Sequence, residues 1–178
     1  MSTDRKFCAF TRGGRSGLGI DVIPPDGFCI SVFLVIRGEG KHDGVLMGML
    51  NPDGPWDHIG ALDRDRVKAH AGGWMLPSCH LMYGEAPDDC ARRVAREQLS
   101  LEGIGFSGPS VYSEVYAPRR FPERKEHWDL EFIYTGFMGA EHIPRMPGVW
   151  KDLRYIDPNS PVTGKIARSH EDILSHLK

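Results

Sequence analysis

Residues 76–101 read Leu76-Pro-Ser-Cys-His-Leu-Met-Tyr-Gly-Glu-Ala-Pro-Asp-Asp-Cys-Ala-Arg-Arg-Val-Ala-Arg-Glu-Gln-Leu-Ser-Leu101, and the fold turns on that stretch. Pro87 suits the first turn of a helix, and Asp88 and Asp89 put negative charge at the positive end of its dipole. At about 100° per residue, as follows from about 3.6 residues per turn, Cys90, Val94 and Leu101 fall together, and Ala91, Ala95 and Leu99 follow round one side. Gln98 lies inside this apolar arc, and Glu97 lies at its edge beside Arg93. Asp89, Arg92 and Arg96 take the opposite, solvated face, so the pattern is that of an amphipathic helix. Asp89 with Arg93, and Arg93 with Glu97, stand at the i,i+4 spacing of surface ion pairs.

Working outward, Gly72-Gly-Trp-Met-Leu-Pro77 leads into the loop before this helix. Residues 30–36, rich in Val, Ile and Phe, read as a buried strand that enters a turn at Arg37-Gly-Glu-Gly. Residues 45–50 form a partner strand, with 38–44 as a hairpin loop. Residues 51–71 are a polar segment with Pro52, Pro55 and a charged run, longer than an ordinary connection. Past the helix, residues 110–116, 129–138 and 148–156 read as strands. Residues 117–125 carry two prolines and four basic residues, a loop by composition. Ser169, with Asp172 three positions on, opens a short terminal helix over 170–177. The first twenty or so residues are Gly-rich and basic, an arm or early hairpin. Strands outnumber helices and one long helix interrupts them, so the class is α+β or α/β with a mixed sheet.

The 178 residues fit one domain. Its 22 Lys plus Arg stand against 24 Asp plus Glu, a balance without the basic field that attracts nucleic acid. The longest apolar run, residues 29–36, is too short to cross a bilayer. Cys8, Cys29, Cys79 and Cys90 form no CxxC pair, and no signal segment precedes them, so reduced thiols and a cytoplasmic location are expected.

The loop and helix resemble a Nudix box. That family's pattern reads Gly, five residues, Glu, seven residues, then Arg-Glu-U-x-Glu-Glu-x-Gly-U, where U is a bulky aliphatic residue. Laid on this chain without gaps, Cys79 takes the first Gly place, Glu85 the first Glu, Arg93 the Arg, Glu97 one of the three later Glu places, and Leu101 the closing aliphatic. Val94 and Gln98 fill the other two Glu places, Ala95 the first U, and Ser100 the second Gly. The resemblance runs strongly over residues 72–104 and loosely over 30–156. It implies a mixed sheet sandwiched between helices. Cys79 conflicts with a close backbone approach and positive φ, which favour Gly.

The same resemblance implies hydrolysis of a nucleoside diphosphate derivative with Mg²⁺ or Mn²⁺. Cleaving a phosphoanhydride requires neutralising oxygens that gain charge, and a divalent cation held by carboxylates does this. Glu97, Gln98 and the Ser78 carbonyl are the candidate ligands, while Glu85 and Arg93 brace the helix. Glu97 equally reads as a surface ion-pair member. A second constellation lies on the strand that starts near residue 127, where alternation sends His127, Asp129 and Glu131 to one face and Trp128, Leu130 and Phe132 to the other. By the resemblance this strand supplies a general base, from His127 or Glu131, or a further ligand, Asp129. By composition alone, the two carboxylates solvate a sheet face. Arg119, Arg120 and Arg124 are candidates for phosphate contact, since guanidinium forks match phosphate oxygens. Tyr83, Trp74 and Trp56 are candidates for stacking on a base, although aromatic residues near loops are more often packing anchors. The alternative to a hydrolase is a non-catalytic module of the same fold that binds a nucleotide or a protein, and a homodimer is left open.

Overall fold

The apolar run at 30–36 becomes the centre of one mixed sheet. The computed structural model describes residues 9–10, 27–39, 44–116, 127–139, 142–143, 146, 148–158, 160, 164–168 and 170–177. The Gly-rich arm other than Ala9 and Phe10, the basic loop with Arg119, Arg120 and Arg124, and Ser169 lie outside the described residues. In chain order the elements are β1 (Ala9–Phe10), β2 (Phe28–Glu39), β3 (Val45–Leu50), α1 (Trp56–Ile59), α2 (Arg64–His70), β4 (Trp74–Met75), β5 (Ser78–His80), α3 (Pro87–Leu99), β6 (Phe106–Tyr116), β7 (His127–Gly139), β8 (Trp150–Ile156) and α4 (His170–His176).

The strand path is β4-β3-β2-β7-β6, with β1 and β5 also on β2 and β8 on β3. β2 pairs in parallel with β7 along its whole length, from Phe28 opposite Trp128 to Glu39 opposite Gly139. Its other edge pairs antiparallel with β1, β5 and β3 in turn. A strand covered on both faces loses polar alternation, and β2 has layers on both. Val32, Leu34 and Ile36 pack with Tyr134 and Cys79 under Cys90, Ala91, Val94, Ala95 and Leu99 of α3. Phe33 and Val35 pack with Met47, Leu76 and Ile133 under Ile173 and Leu174 of α4. The sheet therefore lies between helices, as expected.

Residues 51–71 differ from the expected polar connection. They fold into α1 and α2, and Trp56, Ile59, Leu62 and Val67 join Leu50, Met75 and Trp150 in a third core cluster. The Trp56 ring meets Trp150 edge-on, with centroids 4.7 Å apart, and its Nε1 donates to the Asn51 carbonyl at 2.9 Å. Trp150 in turn lies over Gly48, where a Cβ would come within 2.1 Å of the indole. β6 also begins earlier than the sequence suggests, at Phe106, continuing through an irregularity between Ser107 and Ser110. Among the described residues, no helix is long and apolar enough to cross a membrane.

Candidate functional site

The helix that decides the fold starts as read: Pro87 stands in the first turn, with Asp88 and Asp89 beside it. Its inner edge is held by Arg93, which is buried. A buried guanidinium must be paired, and Arg93 Nε and Nη2 each donate to an oxygen of Glu85 at 2.7 Å. Nη2 also donates to the His80 carbonyl at 3.1 Å. Glu85 Oε2 accepts from the Met82 N–H at 2.9 Å. Burial pushes the Glu85 carboxyl up, but the hydrogen bonds and charge of Arg93 and the Met82 N–H outweigh it and hold the group below the usual carboxylate range. Loop and helix are thereby clamped together. Because Arg93 turns inward, Asp89 pairs instead with Arg92, at 2.8 Å. Glu97 stands 4.0 Å from Arg93 and 3.8 Å from Arg96.

The places expected to hold a cation carry something else. Val94 is fully buried against the sheet and offers no donor atom. Gln98 is also fully buried. Its Nε2 donates to the carbonyls of Ser78 at 2.8 Å and Ile59 at 2.9 Å, and its Oε1 accepts from the Ser78 N–H at 3.1 Å. That network fixes which way the amide points: the NH₂ group faces two carbonyls. The Ser78 carbonyl and the Gln98 side chain, both candidate ligands, are thus bonded to each other. Trp150 Nε1 donates to the Gln98 carbonyl at 2.7 Å, which ties the third core cluster to the same turn. Val94 and Gln98 do not fit a magnesium or manganese ion, because hard cations take oxygen ligands, and Val94 offers none while Gln98 turns its NH₂ group to the Ser78 carbonyl.

Cys79, at the expected glycine place, lies in β5 opposite Val32, with its thiol accepting from Arg93 Nη1 at 3.5 Å. No positive φ occurs there, so a side chain is accommodated. Left-handed backbone in this stretch falls instead at Gly84 and at Ser100, the latter with φ 52° and ψ 31°.

The structure does not bring Asp129 or Glu131 to the helix. In the parallel register Cys29 pairs with Asp129, Ser31 with Glu131 and Phe33 with Ile133, and partners in a ladder point to one side. Phe33 and Ile133 pack under α4, so Asp129 and Glu131, with His127, face α4, while Glu97 and Gln98 belong to the opposite face. The two-residue period of β7 is the physical reason: their neighbours Phe132 and Tyr134 are the ones directed at α3.

On the α4 face these residues meet a group that the sequence reading did not single out. The Cys29 thiol donates to Asp129 Oδ1, and His127 Nε2 lies 3.0 Å from the same oxygen. Cys29 Sγ is 3.7 Å from Ser31 Oγ, which is 3.2 Å from Nδ1 of His80. Glu131 is buried, and its Oε2 has no hydrogen-bond partner among the described residues. Burial, with the charges of Asp129, Glu114 and Asp172, pushes its carboxyl up to about 8 against the opposing charge of Arg168. Burial pushes His80 down to about 4. The available signal was alternation: Cys29 and Ser31 interrupt an apolar run at positions of one parity. Of the three aromatic residues offered for base stacking, Trp56 and Trp74 are buried and Tyr83 is 85% exposed.

No family model matches the sequence, and no curated protein does. Solved structures do. The NUDIX domain of Shewanella oneidensis NrtR, complexed with ADP ribose, superposes with a TM-score of 0.56 at 14% identity, over 85% of this chain and 86% of that one. A candidate NUDIX hydrolase from Listeria monocytogenes gives 0.55 at 12% identity, over 83% and 90%. A bifunctional NMN adenylyltransferase/ADP ribose pyrophosphatase from Francisella tularensis gives 0.52 at 16%, over 84% of this chain; the match spans 40% of that protein's length. This chain has the Nudix fold.

Proposed function

We propose that this protein is a Nudix-fold binding module whose box helix is structural, and that its ligand is a nucleoside diphosphate derivative bound without cleavage and without a helix-held cation. One observation carries the reading: the buried Gln98 amide donates to the Ser78 and Ile59 carbonyls. Metal-assisted attack on a phosphoanhydride needs carboxylates converging on a cation, and Val94 with Gln98 removes two of them from this helix. Glu85 and Arg93 act here as a clamp on the loop. The ligand class is supported by the ADP ribose bound to the NrtR domain. The exposed Tyr83, in the loop that Glu85 closes, offers a ring for a base to stack on. Arg119, Arg120 and Arg124 are the proposed phosphate contacts.

The second reading, a magnesium- or manganese-dependent hydrolase, is favoured by Glu97, the one carboxylate kept on the helix edge. A panel of ADP ribose, nucleoside diphosphate sugars, dinucleoside polyphosphates and nucleoside triphosphates separates the two. Calorimetry should give saturable binding that is unchanged by chelator, and chromatography should give no product with magnesium or manganese. Metal-dependent turnover that disappears in Glu97→Gln would establish the hydrolase instead. Absence of binding across the panel would remove the ligand class.

A further inference from the structure

The cluster facing α4 is separated by the sheet from the box helix, and what it does stands apart from whether a nucleotide binds there. We infer that Cys29, His127 and Asp129 form a binding site for a zinc-type divalent ion, with Glu131 as the acceptor for a water on that ion. The backbone assembles the site. Cys29 and Asp129 are lateral partners in the parallel ladder, and His127 precedes Asp129 by one two-residue step on the same side of β7. Their donor atoms, one sulfur, one imidazole nitrogen and one carboxylate oxygen, all lie within 4.8 Å of one another.

Thiolate, imidazole and carboxylate together suit zinc, and hard cations such as magnesium avoid sulfur. Zinc bonds of about 2.0–2.3 Å in a tetrahedron put ligand atoms roughly 3.3–3.7 Å apart. The separations here need movements of about an ångström at most to match that shell. Without an ion, Asp129 Oδ1 is approached by both the Cys29 thiol and His127 Nε2, so three potential ligands already converge on one point. On binding, the thiol proton passes to solvent and the sulfur takes its place on the metal.

Glu131 is the independent pointer to a ligand. It lies one step further along the same face of β7 and is 3% exposed. Its Oε2 is one of two buried side-chain oxygens among the described residues without a hydrogen-bond partner. Such a group is costly unless something completes it. Three protein ligands leave a fourth position for water, and a water held there has a proton to give to that oxygen. His127 is only partly buried, which gives the ion a way in.

The test uses the full chain without an affinity tag, stripped by chelator and titrated with cobalt(II) as the optical probe. Zinc(II) is then measured in competition with a chromophoric chelator. The expected result is one equivalent of cobalt per chain with a thiolate-to-metal charge-transfer band, displaced by zinc. Cys29→Ser should abolish the band, and Cys29→Ser and Asp129→Asn should each weaken zinc by at least about tenfold, the scale set by loss of a ligand's support. Glu131→Gln should keep band and stoichiometry. No cobalt binding, or a band that persists in Cys29→Ser, would overturn the site. Should Cys29→Ser fail to fold by circular dichroism, His127→Gln at the partly exposed strand end decides, and an unchanged zinc affinity in it refutes the proposal.

Discussion

The two faces of the central sheet treat buried polar atoms in opposite ways. Under α3, Arg93 is bonded to Glu85 and the His80 carbonyl, and Gln98 uses both ends of its amide. Facing α4, the oxygens Ser78 Oγ and Glu131 Oε2 are buried without partners among the described residues; Ser78 points that way because it pairs with Phe33. Completed networks rigidify a core, whereas an incomplete one is sustained by something else that occupies it. By that measure the helix that carries the recognisable pattern is scaffold, and the face without a pattern is where an ion or ligand belongs.

The largest effect expected from breaking this contrast is at Gln98. Gln98→Glu keeps the shape but replaces an amide donor by a carboxylate facing the Ser78 and Ile59 carbonyls. Leaving those acceptors bare against a buried charge should cost about 4 kcal/mol in chelator, from about 1–3 kcal/mol per unsatisfied group. Millimolar magnesium should return part of that loss if the amide stands where a cation can sit. Urea denaturation with and without magnesium measures both, and a variant as stable as the parent in chelator would show that the network contributes little.

The next effect belongs to the α4 face. His80 is neutral in the folded chain, with its titration pushed down to about 4 by burial first and then by Arg168, while Asp129 opposes and Arg66 and His127 add to the shift. Ser31 Oγ faces its Nδ1. The unfolded histidine takes up its proton near pH 6.5 and the folded one near 4. The unfolded state therefore binds more protons across that window, so stability is complete above about 6.5 and falls as pH is lowered through it. The loss is on the order of 3 kcal/mol at its limit. Denaturation midpoints measured in chelator from pH 7 to 4 should show it, and His80→Gln should flatten the slope; an equally steep profile in that variant would place the acid sensitivity elsewhere.

The helix was legible because its signals are local: Pro87, Asp88 and Asp89 mark the start, and the spacing of Cys90, Val94, Ala95 and Leu99 marks the face. The strand at 45–50 was legible as a short apolar run after Gly44, and that at 148–156 from Val149, Trp150, Tyr155 and Ile156 following Gly148. The parity of His127, Asp129 and Glu131 could also be read, but not the helix they would face. That depends on the parallel pairing of β2 with β7, a contact about a hundred residues apart in sequence that no local pattern encodes. The helix that carries Trp56 escaped for a different reason. α1 is four residues long, too short to display a period, and its place is set by Trp150 and Gly48 across the fold. Gln98 was correctly placed inside the apolar arc, but its partners Ser78 and Ile59 come from segments whose approach is tertiary.

The smallest expected effect lies at the end of α3, where serine holds a backbone conformation suited to glycine. Ser100 is left-handed, and this turn lets its N–H reach the Arg96 carbonyl at 3.1 Å and the Leu101 N–H reach that of Ala95 at 3.0 Å. A Cβ in that region costs about 1 kcal/mol. The hydroxyl offsets little of it, since its bond is to the Met146 sulfur, a weak acceptor. Ser100→Gly should therefore stabilise the chain by about 1 kcal/mol, read as a shift of the urea midpoint at constant slope. Ser100→Ala, which keeps the strain and loses the hydroxyl, should not gain. Equal stability of the glycine and alanine variants would mean that the backbone at this turn is relaxed. The face under α3 would then be free of strain at its cap, as among the described residues it is of unpartnered buried polar side chains.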